Sequence, residues 1–314
     1  MKYFIAGGCG FIGSELAHKL LKNKNNKVVV YDNLSSGRLD FLADIMDNPN
    51  LAVVIEEIGN RASLIEAMKD CDVVYHLASN ADIAKAIEDP TIDFYNGTVL
   101  TNDILEAMRI NGIRKILYAS GSGVYGRTGF KRVTEDHAKN PVSTYGASKL
   151  AGEAMISAYC SIFDMTGTAF RFANVVGRNS THGIIKDFIR KLRGNSEILD
   201  ILGDGTQTKA YIHVYDAICA LTEMNDIVIP FDAFNVSCDD EISVFEIAKM
   251  VVQSMKLDNV AYRFHPVFED GRGWKGDVSV IKMDSTKARR YGWLPSYGSK
   301  KAIQQAINEM LGIN

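Results

Sequence analysis

The first thirty-two residues restrict the fold more than any other stretch of the chain. An apolar run, Tyr3-Phe4-Ile5-Ala6, passes directly into Gly7-Gly8-Cys9-Gly10-Phe11-Ile12-Gly13. Leu16, Ala17, Leu20 and Leu21 then recur at helical spacing, and Val28-Val29-Val30-Tyr31 ends on Asp32. Strand, glycine turn, helix, strand and acid, in that order, form the layout that holds a dinucleotide. In the GxxGxxG spacing, Gly7 permits the tight turn and Gly10 admits a pyrophosphate to the backbone amides. Gly13 lets the helix pack closely on the strand. Asp32 is placed to accept from both ribose hydroxyls and to repel a 2′-phosphate. Asn33 follows it and no arginine precedes Arg38, so the expected cofactor is NAD rather than NADP.

The same rhythm continues to about residue 172. Apolar, β-branched runs at 3–6, 27–31, 52–55, 73–76, 115–119 and 168–172 alternate with helical stretches near 13–22, 61–69, 98–110 and 145–163. Several runs are apolar without alternation, as in a parallel sheet covered on both faces. The expected fold is α/β: a doubly wound parallel sheet with a smaller α/β C-terminal lobe that covers the substrate. Residues 1–172 read as the dinucleotide-binding domain and 173–314 as the second lobe, with residues 210–225 returning to the first. In the second lobe, helical stretches at 184–193, 244–255 and 300–310 are separated by loops rich in Gly, Asn and Asp.

Composition removes several function classes. The chain has 314 residues, 46% apolar and 23% charged, with a formal net charge of −3. It has no general attraction for nucleic acid or anionic membrane, so an anionic ligand needs locally placed Lys or Arg. No stretch reaches the ~18 uncharged apolar residues of a membrane span. A core strand from residue 3 leaves no room for a leader peptide. The five cysteines are scattered and lack a CxxC pair. They read as reduced interior residues of a cytoplasmic protein, and no cluster suggests a metal.

The chemistry is carried by YGASK at 145–149. Tyr145 and Lys149 stand four apart on a helix, hence on one face. An ammonium beside a phenol lowers the phenol's pKa, and a nicotinamide cation lowers it further. The tyrosinate then accepts a proton from an alcohol whose carbon gives up hydride.

GGCGFIG, DNLSSG, DVVYHLAS, SGVYG, YGASK, RFANVVG and DGTQTKAYIHV together resemble the extended short-chain dehydrogenase/reductase family, and within it the nucleotide-sugar epimerases of the UDP-glucose 4-epimerase type. The resemblance runs from residue 1 to about 295. It implies Tyr145 as catalytic base and Lys149 as its partner. It adds cofactor contacts from Phe11, Ile12, Asn33, Ser35, Ser36, Gly37 and Phe172, with Glu57 and Ile58 beside adenine and Leu77, Ala78 and Ser79 under the pyrophosphate. Asn174, Gly183 and Ile184 fall where the family meets the nucleotide sugar. A gate on C2 substituents falls on Ile281, and a side chain smaller than tyrosine there implies room for an N-acetyl group.

Three positions depart from the family pattern. Gly121 stands where the family has a catalytic Ser or Thr, which leaves Ser122 or Ser120 to bind the sugar's 4-oxygen. Lys209 replaces the usual Arg before YIHV and lacks its bidentate fork. The C-terminal Arg-x-x-Asp reads Trp274 to Asp277, so Arg272 is expected at the phosphate and Asp277 at the uridine ribose.

The expected activity is NAD-dependent 4-epimerisation of a UDP-hexose, N-acetylated forms included. C4 is oxidised to a 4-keto sugar, the sugar turns about its diphosphate bond, and the hydride returns to the other face. A 4,6-dehydratase is disfavoured, because Ser122 and Gly123 stand where it needs an Asp–Glu pair. A UDP-glucuronate 4-epimerase or decarboxylase stays open, with Arg178 as its carboxylate partner, as does a non-catalytic NAD-binding sensor. The helix at 145–163 is small or apolar on nearly every face, which calls for cover. A homodimer through the helices near 98–110 and 145–163 supplies it, or else the protein's own second lobe does.

Overall fold

The computed structural model describes residues 1–80, 85–129, 131–225, 227, 229–269, 271, 278 and 280–313. Seven parallel strands form the main sheet: β1 (Lys2–Ala6), β2 (Lys27–Asp32), β3 (Leu51–Ile55), β4 (Val73–His76), β5 (Lys115–Gly121), β6 (Thr166–Phe172) and β7 (Phe231–Val236). Their spatial order is β7-β6-β5-β4-β1-β2-β3. The chain therefore winds outward from β1 in both directions, and the crevice between β1 and β4 is the place where such sheets bind ligands. Register runs Ile5 against Val30 on one side of β1 and against Tyr75 on the other.

Successive side chains of each strand point to opposite faces, and two cores result. Ile5, Val28, Val30 and Tyr75 pack under α1 (Phe11–Leu21), whose Leu16, Ala17 and Leu20 form its buried stripe. Phe4, Val29, Tyr31 and Val74 pack on the other face. They meet Leu64 of α2 (Arg61–Ala67), Ile104 and Met108 of α3 (Leu100–Asn111) and Ile156 and Cys160 of α4 (Thr144–Ile162). This is why the strands read as continuous apolar runs.

Beyond β6, α5 (Ile184–Gly194) contributes Phe188, Ile189 and Leu192 to a third, separate core. Next, α6 (Val214–Glu223) returns to the face of α1, and Trp293 donates from its indole to the carbonyl of Asp216 on it. The seventh strand is not among the six apolar runs of the sequence. Phe231–Val236 pairs in parallel with Gly167–Phe172 and closes the far edge of the sheet. Its Asp232 and Asn235 interrupt the apolar run, which is why the run fails to read as a buried strand. Finally, α7 (Val244–Ser254), with a full capping box from Ser243 and Glu246, and α8 (Ser299–Leu311) complete the third core.

Candidate active site

The glycine turn lies at the carboxyl end of β1, where backbone meets backbone. Gly7 has φ +79°, and a Cβ built on it would stand 2.8 Å from the amide nitrogen of Ala78. At Gly13 a Cβ would be 2.2 Å from the Gly7 carbonyl oxygen. The loops after β1 and β4 thus touch only because no side chain intervenes. Helix α1 has Gly10 as N-cap and no side-chain cap, which leaves first-turn amides for an anion.

Asp32 ends β2 almost fully buried. Its carboxylate accepts from the amides of Cys9 (2.9 Å) and Leu34 (2.8 Å). Burial raises its pKa and those two bonds draw it back. Gly37 is forced by this carboxylate, since a Cβ there would lie 2.7 Å from Asp32 Oδ1. Asn33 donates to Glu57 (3.0 Å), and its own side-chain oxygen accepts from the Ser35 amide (3.0 Å). Ser35, Ser36 and Glu57 are exposed. Arg38 is held bidentate by Asp40, so the first arginine of the chain is committed away from a 2′-phosphate. The uncapped helix, the glycine cradle and the buried Asp32 together fit NAD.

Tyr145 sits in the first turn of α4, which begins there because the Ser143 hydroxyl accepts from the Gly146 amide. One turn later, buried Lys149 donates to the Ala119 carbonyl of β5 (2.7 Å). Its Nζ lies 5.5 Å from the centre of the Tyr145 ring. Burial pushes Lys149 down to about 7, against the pull of Asp93 and Glu153. The Tyr145 phenol moves up, not down as the sequence predicts. Burial raises it, the Ser79 hydroxyl bonded to it lowers it, and Asp93 raises it further. A lysine whose own charge is costly in this pocket offsets little of the phenol's lost solvation. Leu77 and Ala78 are half-buried at the carboxyl end of β4.

The two hydroxyls proposed to replace the one missing at Gly121 differ. Ser120 is not available: it donates to Glu153 (2.5 Å) inside a buried network. There Arg171 grips both oxygens of Glu153 (3.0 and 2.6 Å) and donates to the Tyr125 hydroxyl (2.8 Å). Ser122 is half-buried, opens the 3₁₀ turn Ser122–Tyr125, and has no hydrogen-bond partner among the described residues. At Gly121 a Cβ would have the Phe172 carbonyl as nearest atom, 3.9 Å away, so the backbone does not require glycine there.

The Ile58 and Phe172 side chains are packed in the two sheet cores, Phe172 stacked on Phe170. Asn174 donates to the Ala210 carbonyl (3.2 Å). Gly183, at φ +103°, is the N-cap of α5 without a side-chain cap, and Ile184 comes next, half-buried. Lys209 pairs in register with buried Ile281. Arg178 is bound to Glu15 of α1 (2.7 Å), not free for a sugar carboxylate. Arg272 and Asp277 lie outside the described residues. His76 is fully buried against Thr101 (2.9 Å), and burial drives its pKa well down.

Sequence reasoning misses the Glu153–Arg171 pair, although a signal exists. An arginine inside an apolar strand and a glutamate on an apolar helix are each too costly to bury unpaired.

Comparison with known proteins gives a consistent result. The profile described as "NAD dependent epimerase/dehydratase family" matches residues 3–236. The UDP-glucose 4-epimerase of Mycolicibacterium smegmatis is 30% identical, over 98% of this chain and 97% of its own length. Among solved structures, a UDP-galactose 4-epimerase superimposes with a TM-score of 0.87 at 34% identity, covering 99% of both chains. The UDP-glucuronic acid 4-epimerase from Bacillus cereus, in complex with UDP-glucuronic acid and NAD, gives 0.90 at 25% identity and the same coverage.

Proposed function

This chain belongs to the NAD dependent epimerase/dehydratase family and takes NAD as cofactor, and we propose that it inverts C4 of a UDP-hexose, interconverting UDP-glucose and UDP-galactose. When bound, NAD supplies the hydride acceptor and donor for that carbon. Gly7, Gly10, Gly13 and the first-turn amides of α1 hold its pyrophosphate, and Asp32 its adenosine ribose. Tyr145 takes the proton of the 4-hydroxyl and later returns it. Lys149, fixed by the Ala119 carbonyl, places its ammonium beside the Tyr145 ring, and when protonated it favours the phenolate over the phenol. Ser122 is the hydroxyl left to meet the sugar's 4-oxygen. Lys209 and Arg272 bind the diphosphate, Asp277 the uridine ribose, and Asn174, Gly183 and Ile184 the rest of the nucleotide, which leaves the sugar free to turn.

The observation that carries this reading is the Tyr145–Lys149 face anchored on β5, with β4 alone between that strand and β1, which leads into the glycine cradle. A glucuronate substrate is less favoured because Arg178 is held by Glu15. We place the protein in a reducing, cytoplasmic compartment, since all five cysteines are free and buried. Among the described residues no helix is long and apolar enough to cross a membrane.

The test is interconversion of UDP-glucose and UDP-galactose by the NAD-loaded protein. Tyr145→Phe is expected to lower kcat by about 10²- to 10⁴-fold while the nucleotide still binds. A wild type that binds NAD yet turns over neither sugar would overturn the reading and favour a sensor.

A further inference from the structure

The Ser79 hydroxyl acts on the Tyr145 phenol, lowering its pKa, although the two residues arrive from different parts of the chain. Ser79 lies on the loop after β4 and Tyr145 on the first turn of α4. Between their supports sits Asp93, at the end of the short helix Thr91–Asp93 and only 1% exposed. Its Oδ1 accepts from Asn80 Nδ2 at 2.9 Å, and its Oδ2 accepts from the Thr144 hydroxyl at 2.7 Å. Asn80 is the residue after Ser79, and Thr144 is the residue before Tyr145. One carboxylate therefore holds both flanks of the hydroxyl–phenol pair.

The grip is built on a firm seat. The π-helical turn Phe94–Val99 comes directly after Asp93, and a Cβ on its Gly97 would stand 2.6 Å from the Ser148 hydroxyl oxygen. The segment carrying Asp93 thus lies flush against α4 one turn beyond Tyr145. Among the described residues no cation stands within ion-pair distance of Asp93, although its charge pulls on that of Lys149. A buried acid costs free energy unless its oxygens are satisfied. Here the two neutral donors that satisfy them are the two residues that flank the reacting pair.

We propose that Asp93 is a positioning residue, gripping the residue after Ser79 and the residue before Tyr145 so that hydroxyl and phenol stay opposed during proton transfer. The inference rests on Tyr145 being the group that exchanges the substrate proton. As the phenol passes its proton to the sugar's 4-oxygen, the Ser79 hydroxyl is placed to donate to the phenolate oxygen left behind. A shift of either support separates them.

Three variants test it, each assayed in the NAD-loaded protein with UDP-galactose. Asp93→Ala removes both grips and is expected to lower kcat by about tenfold to a hundredfold, with KM changed by less than about twofold. Asp93→Asn is expected to restore most of that loss, because its amide oxygen still accepts from Asn80 and its amide nitrogen donates to Thr144. Thr144→Val cuts one grip at an exposed position and reads the effect even if Asp93→Ala fails to fold. A smaller loss in kcat is expected from it. Wild-type kcat in Thr144→Val and Asp93→Ala, or an Asp93→Asn as impaired as the alanine variant, would overturn the proposal. Crystal structures of the variants give a readout without turnover: the Ser79–Tyr145 contact is expected to be lost in Asp93→Ala and kept in Asp93→Asn. A wild type inert toward UDP-galactose would thus sink the proposed function and leave this contact to be judged by itself.

Discussion

Lys149 holds a charge in a place that disfavours one. Its ammonium is buried, donates to a single carbonyl, and is pushed by that burial down to about 7, below the ordinary lysine value. Between that pH and about 10.4 the unfolded chain binds one proton more than the folded protein at this position, so stability rises with pH across the window. Measured without NAD, the thermal midpoint of the wild type is expected to climb from pH 7 to 10 relative to Lys149→Met, and to lose that advantage as pH falls toward 7. Parallel curves for the two proteins would show the lysine to be charged throughout. The pairing of Tyr145 with Lys149 is legible in sequence, because helical periodicity alone puts residues four apart on one face. The bridge from Asp93 to Asn80 and Thr144 is not legible, because its partners lie 13 and 51 residues away and only the fold brings them together. Ser120 shows the converse: a hydroxyl beside the expected position is spent on Glu153.

At the scale of elements, the glycine turn is where sequence and structure agree most closely. Its conformation is set by local sterics and by one close approach, that of the loop after β4. Gly13→Ala is expected to abolish measurable NAD binding in calorimetry and to lower the thermal midpoint, since a methyl group at 2.2 Å from the Gly7 carbonyl must push helix from strand. Gly59→Ala, with nothing within 4 Å, serves as the neutral control. Helix α4 is less transparent. Its residues are small or apolar nearly all round, yet its buried side includes Lys149 and Glu153. Burying them is tolerated only because Arg171 reaches Glu153 from β6 and Ala119 reaches Lys149 from β5. Strand β7 is obscured for a related reason: Asn235 accepts from Tyr125 (2.7 Å) and donates to Val133 and Asp284, so a polar residue stands where pattern reasoning demands an apolar one.

For the whole molecule, the outer side of α4 decides between the two covers the sequence allows. Ala147, Ala154, Ala158 and Ile162 are exposed, with Ile162 at 69%, and Phe94, Tyr95 and Ile110 are exposed on the neighbouring segments. Among the described residues, the second lobe therefore leaves this face uncovered. We propose that a second copy does, through α3 and α4. Sedimentation is expected to give a dimer and Ile162→Glu a monomer, whereas a monomeric wild type at micromolar concentration would remove the proposal. The alternating pattern, the glycine spacing and the Tyr–Lys interval made six of the seven strands, the glycine turn after β1 and the shared helix face of Tyr145 and Lys149 legible, because each depends on residues close enough in the chain for backbone geometry to relate them. Only the tertiary structure decided that Ser120 is engaged by Glu153, that Asp93 bridges Asn80 and Thr144, and that Arg178 is paired with Glu15. Those outcomes turn on contacts between distant segments, where a displacement of about an ångström separates a hydrogen bond from none.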